Sequence, residues 1–212
     1  MKKRSKFYLY SILTILFFVA VSGYLYLPGI LGDTVYPLEY TNYIVKWSAT
    51  HRVPADLTAA VILQESRFNP RAKSPVGALG LMQIMPTTGS GIAKGVEDPN
   101  FTTEKLFDPE TNIKYGTWYL RTLLDRYDNN AAAALTAYNT GSGNVDRWFF
   151  GGLFGEGNRY AQNVLEYQKI YANFYSRELY GVDAKVKIEK PKQNFLWSRM
   201  VKDLVGVFYE GK

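Results

Sequence analysis

Between Leu57 and Phe68 the sequence repeats with the period of a helix that has almost no face left for water. Leu57, Ala60, Val61, Gln64, Glu65 and Phe68 fall at i, i+3, i+4, i+7, i+8 and i+11, a single stripe that begins after Pro54 with Asp56 as its candidate N-cap. Ala59, Ile62 and Leu63 make the other sides apolar too, and such a helix is enclosed by its neighbours. One carboxylate, Glu65, lies on the stripe. Desolvation there disfavours the charged form and raises the pKa, which keeps a Glu protonated near neutral pH and able to donate a proton. A purely structural Glu, paired with Arg67 or Arg71 or bonded to a loop amide, suits the same position. Helix placement alone leaves both readings open.

The chain offers little other chemistry. Its 212 residues contain no cysteine and one histidine, His51, which excludes disulfides and a cysteine nucleophile and argues against serine–histidine catalysis and multi-histidine metal sites. The 47% hydrophobic fraction supports one folded domain with appendages. Seventeen Tyr, 12 Phe and 4 Trp suit a core, and they also suit a groove that holds sugar rings by their apolar faces. Of the net charge of +6, Lys2, Lys3, Arg4 and Lys6 supply four units ahead of any folded segment. The rest is near neutral, so no nucleic-acid partner is expected.

That basic head, residues 1–6, precedes an uncharged run from Phe7 to Leu27, about 32 Å long as a helix and so long enough to span a bilayer. The charge asymmetry predicts a single-pass anchor with a cytoplasmic N-terminus and everything downstream outside the bacterial cell membrane. A cleaved signal peptide is the alternative, with small residues at Ala20-Val21-Ser22, but the apolar run exceeds the ~7–15 residues of a signal core. Residues 28–36 read as a linker and 37–180 as the main domain. Within it, helices are predicted at Glu110–Tyr127, at Ala131–Tyr138 with its run of four alanines, and at Arg159–Leu179, whereas 69–100 reads as a long loop rich in Pro and Gly. Residues 181–212 form a basic tail in which Trp197, Met200, Val201, Leu204, Val205 and Phe208 predict an amphipathic helix for packing on the domain, on the membrane or on a protein partner.

Four motifs in order make the sequence identifiable. Val53-Pro-Ala-Asp-Leu57 leads through Gln64-Glu-Ser-Arg-Phe-Asn-Pro70 to Ala72-Lys-Ser-Pro-Val-Gly-Ala-Leu-Gly-Leu-Met-Gln-Ile-Met-Pro86. Ala137-Tyr-Asn-Thr-Gly141 follows, then Glu156-Gly-Asn-Arg-Tyr160 with Asn163-Val-Leu165. Together they resemble the soluble lytic transglycosylases over roughly residues 38–180. The resemblance implies a mainly α, lysozyme-like α+β domain with a small β element, acting on the glycan strands of peptidoglycan without metal or cofactor. It implies that Glu65 is the catalytic acid and base, and that Ser74, Gln83 and Met85 lie beside it. Tyr138 and Asn139 would position the N-acetyl sugar, with Glu156 and Tyr160 on the far wall. Two positions depart from the family pattern, Gly157 where Thr is common and Ala161 where a larger aliphatic is common.

Plainer roles compete for several of these residues. Met82 reads as core, Met85 suits core as well, Ser74 could close a turn before Pro75, and Tyr138 could be a packed aromatic whose hydroxyl caps a backbone group. A two-carboxylate muramidase needs a second acid. Asp98, Asp108, Asp125 and Asp128 qualify by type, but none lies in a recognisable motif. The resemblance instead implies cleavage between N-acetylmuramic acid and N-acetylglucosamine with formation of 1,6-anhydro ends. A non-catalytic glycan-binding scaffold is the remaining alternative, and the intact motif around Glu65 counts against it.

Overall fold

The computed structural model describes residues 8, 12–19, 21, 22 and 35–181. Its contacts divide the chain into one unit of Leu38–Lys190 and another made of Met1–Pro37 with Pro191–Lys212. In the latter, Tyr8, residues 12–19 and residues 21–22 are helical. Among the described residues no helix is long and apolar enough to cross a membrane. Much of the predicted anchor, most of the linker and the whole amphipathic tail lie outside them.

The larger unit is helical. In chain order it contains α1 (Thr41–His51), α2 (Ala55–Ser66), α3 (Pro86–Gly95), a 3-10 turn at Thr103–Phe107, α4 (Pro109–Arg126), α5 (Ala131–Thr140), α6 (Ser142–Phe150), α7 (Arg159–Phe174) and the short α8 (Ser176–Tyr180). The apolar helix read from the sequence is α2, and every residue from Ala55 to Leu63 is buried. It packs along α7, with α1 and α8 also against it, while α5 touches both α4 and α7. Ala133, Ala134 and Ala137 are buried on α5, where small side chains let three helices come close.

Four expectations need correction. Asp56 is not the N-cap of α2. Pro54 holds that place, and Asp56 sits buried inside the first turn, where its Oδ1 accepts from Leu57 N at 2.7 Å and from Gln168 Nε2 at 3.0 Å. The predicted loop at 69–100 contains α3. Its first residue is Pro86, a ring preset for a helix start, and Gly89 sits against Phe101 and Leu106, so tertiary packing outweighs the low helix propensity of glycine.

The predicted helix at Arg159–Leu179 breaks at Tyr175, whose φ of −120° leaves helical space before α8 begins. The small β element reduces to two isolated antiparallel bridges, Lys73 to Leu79 and Leu79 to Ile84. Turns at Gly77, Gly80 and Gln83, all with positive φ, leave no extended run long enough to pair further.

Candidate active site

Glu65 occupies the last turn of α2, where the helix leaves the core. Arg67 and Phe68 both adopt left-handed φ, 51° and 64°, which turns the chain sharply after Ser66. Phe68 is 2% exposed and packs near the ring of Tyr171 on α7, anchoring that turn. Ser66 ties the helix end to the following loop, its hydroxyl donating to Leu81 O at 2.7 Å. The side chain of Glu65 is thereby held at the edge of the core, partly buried.

Its one hydrogen bond comes from Tyr160, at the start of α7, whose hydroxyl donates to Glu65 Oε1 at 2.6 Å. Neither Arg67 nor Arg71 pairs with it, so the structural ion-pair reading fails. Burial pushes the carboxyl up to about 7, and the Tyr160 bond opposes that rise only in part. Burial, and next the Glu65 carboxyl, raise the hydroxyls of Tyr138 and Tyr160 well above the usual tyrosine value, so both remain protonated donors. The result is one titratable acid poised near neutrality among tyrosines.

The loop facing it is built by Asn112. This fully buried amide accepts from Met82 N at 2.7 Å and donates to Leu79 O at 3.0 Å and Leu106 O at 2.7 Å. Gly80 has φ of +76°, and a Cβ there would collide with Leu106 O and Asn112. The loop therefore has to carry glycine at that point. Met82 is fully buried, as read from the sequence.

Gln83 takes φ of +49° and folds its Nε2 back onto Gly80 O at 2.9 Å and Ala72 O at 3.3 Å, which braces the loop. Met85, just before α3, is 36% exposed. Ser74 closes a turn, its hydroxyl oxygen accepting from Ala78 N at 2.9 Å. It makes no hydrogen bond to Glu65.

From α5, Tyr138 donates to Met82 O at 2.8 Å, joining the helix to the loop, and its ring lies 5.4 Å from that of Tyr119. Asn139 is exposed and accepts at Oδ1 from Asn158 Nδ2 at 3.2 Å. Glu156 is exposed and shows no hydrogen bond. Gly157 has φ of +84°, and a Cβ there would press on Thr136 Oγ1 and Ala161 Cβ at 3.1 Å each. The two sequence departures, Gly157 and Ala161, thus occur where the chain makes one close approach.

Sequence reasoning missed Ser66, Asn112, Tyr119 and Asn158. Of these, Ser66 and Asn158 lie inside quoted motifs, and Asn158 also stands directly ahead of a predicted helix start.

The profile of the Transglycosylase SLT domain matches residues 42–151, a span that contains Glu65, the braced loop and Tyr138. The chain belongs to this family. The chain is 36% identical over 153 residues to the soluble lytic murein transglycosylase of Escherichia coli K12, a match covering 66% of this chain and 24% of the relative. It is 37% identical over 121 residues to the membrane-bound lytic murein transglycosylase C of Edwardsiella ictaluri, covering 52% of this chain and 33% of that one. The crystal structure of the 70 kDa soluble lytic transglycosylase of Escherichia coli superposes with a TM-score of 0.62 at 35% identity, over 68% of this chain and 25% of that one. The chain therefore spans about a quarter of the length of the soluble relatives it matches, and the SLT fold is what it shares with them.

Proposed function

We propose that the protein is a peptidoglycan lytic transglycosylase that cleaves the β-1,4 bond between N-acetylmuramic acid and N-acetylglucosamine and leaves 1,6-anhydromuramic ends. The observation that carries this reading is a carboxyl raised to about 7 by burial, with a tyrosine hydroxyl on Oε1 and no ion pair. Because Oε1 accepts from Tyr160, the acidic proton resides on Oε2. That proton passes to the glycosidic oxygen as the bond to the anomeric carbon breaks.

The sugar's own acetamido group meets the developing positive charge. Glu65, now a carboxylate, takes the proton of the muramic C6 hydroxyl as that oxygen closes on the anomeric carbon. An internal nucleophile has the advantage of proximity, and a site that excludes water suppresses hydrolysis. Ser74, Gln83 and Met85 line one wall of the groove, and Tyr138, Asn139, Glu156 and Tyr160 the other. In this reading Phe7–Leu27 anchors the chain in the cytoplasmic membrane with the domain outside, and the tail at 181–212 meets the domain, the bilayer or a protein.

Mass spectrometry of purified peptidoglycan digested by the full chain tests the reaction, with Glu65→Gln as the isosteric control that cannot donate. Anhydro-muropeptides from the parent and none from the variant are expected. Reducing ends would make the enzyme a muramidase, and intact glycan in both digests would leave a binding scaffold.

A further inference from the structure

Asn158 ties the start of α7 to α5. It is the N-cap of α7, and its Oδ1 accepts from Ala161 N at 2.9 Å. With the oxygen committed to the cap, the Nδ2 group turns outward and donates to Asn139 Oδ1 at 3.2 Å. The backbone N–H of the same residue donates to Thr136 Oγ1 at 3.2 Å, one turn before Asn139 on α5. The left-handed Gly157 lets this segment press so closely on α5. Two residues after Asn158, the first turn of α7 delivers Tyr160 to Glu65.

Among the residues favoured at an N-cap, Asp supplies the oxygen but no donor, and Ser is too short to reach a second side chain. Of these, only Asn caps the helix and donates to a neighbouring side chain at the same time. We infer that Asn158 is a positioning residue: it locks the amide of Asn139 so that its N–H2 is the group left for the ligand, and the position therefore reads a hydrogen-bond acceptor on the sugar, an acetamido carbonyl or a hydroxyl. The inference rests on the glycan-binding reading above and extends it to a residue outside the reacting atoms.

The test is a double-substitution cycle on binding. Affinity for a tetrasaccharide of alternating N-acetylglucosamine and N-acetylmuramic acid is measured by calorimetry in the full chain carrying Glu65→Gln, so that nothing turns over. Asn158→Ser and Asn158→Asp both keep the cap oxygen, so the melting temperature stays within about 2 °C of the parent while binding weakens about fivefold. With Asn139→Ala already present, neither substitution weakens binding further. Unchanged affinity, or the same loss with and without Asn139, overturns the inference. Absence of anhydro ends from the unsubstituted enzyme would overturn the reaction and leave the cycle to judge Asn158, whereas a parent that binds no tetrasaccharide overturns both.

Discussion

At Glu65 two effects act in opposite directions on one proton. Burial lifts the carboxyl from 4.5 to about 7, and the hydroxyl of Tyr160 pulls it back. Removing that hydroxyl with Tyr160→Phe lets the pKa climb further. The alkaline limb of kcat/KM, expected near pH 7 in the parent because only protonated Glu65 can donate, then moves to higher pH. The optimum rate falls about tenfold as the carboxyl loses its orientation. A limb that stays in place would detach Tyr160 from the titration.

The raised pKa is also a statement about stability. Below pH 4.5 both folded and unfolded chains hold the proton, and Glu65 costs nothing. Between 4.5 and about 7 the unfolded chain releases it first, so stability falls as pH rises, and above about 7 the full cost is present. Glu65→Gln removes that cost. That variant is expected to be more stable than the parent by about 3 kcal/mol at pH 8, with the gap closing below pH 4.5, as read by urea unfolding at both pH values.

Among the elements, the loop between α2 and α3 depends on α4. Asn112 gives it one acceptor and one donor, both buried and spanning up to 33 residues of sequence, and its second amide proton goes to Leu106 O in the 3-10 turn. Asn112→Asp keeps the shape but strips the donors, leaving Leu106 O without its partner and Leu79 O with Ile84 N alone, beside an extra acid. A loss of about 3 kcal/mol in denaturant stability is expected, with activity falling at temperatures where the fold still holds. Stability close to that of the parent would mean that the loop is held by other contacts.

Such elements set the limit of what the sequence discloses. The helices α2, α4 and α5 were legible because periodicity and Pro or Asn boundaries are local signals, and Glu65 was legible because an acid on an apolar stripe contradicts its surroundings. The helix α3 was hidden by Gly89 and Gly91, whose low propensity is offset by Phe101 and Leu106 packing on Gly89 from outside the segment. The Tyr160 bond to Glu65 spans 95 residues, and no pattern within one element announces it. The family motifs implied a place for Tyr160 on the far wall, without saying that it touches the acid.

On the scale of the molecule, the parts of the site and their supports fall within one unit. Glu65, Tyr138 and Tyr160, the loop brace at Asn112 and the cap at Asn158 all lie inside Leu38–Lys190. The helices that enclose α2 do so as well, down to α8, where Tyr180 accepts at its hydroxyl from Asp56 N at 3.4 Å. A fragment of residues 38–190 is therefore expected to unfold cooperatively and to keep the helical circular dichroism of the domain. It should release anhydro-muropeptides from isolated, soluble glycan strands at a rate within about threefold of the full chain, since the chemistry draws on nothing outside it. Against whole cells or membrane-associated wall the same fragment should lag, because the apolar run at Phe7–Leu27 that would hold the enzyme at the membrane is gone. Equal performance on both substrates would remove the anchor from the account of function. A fragment that melts without cooperativity would instead show that residues beyond 38–190 supply part of the core.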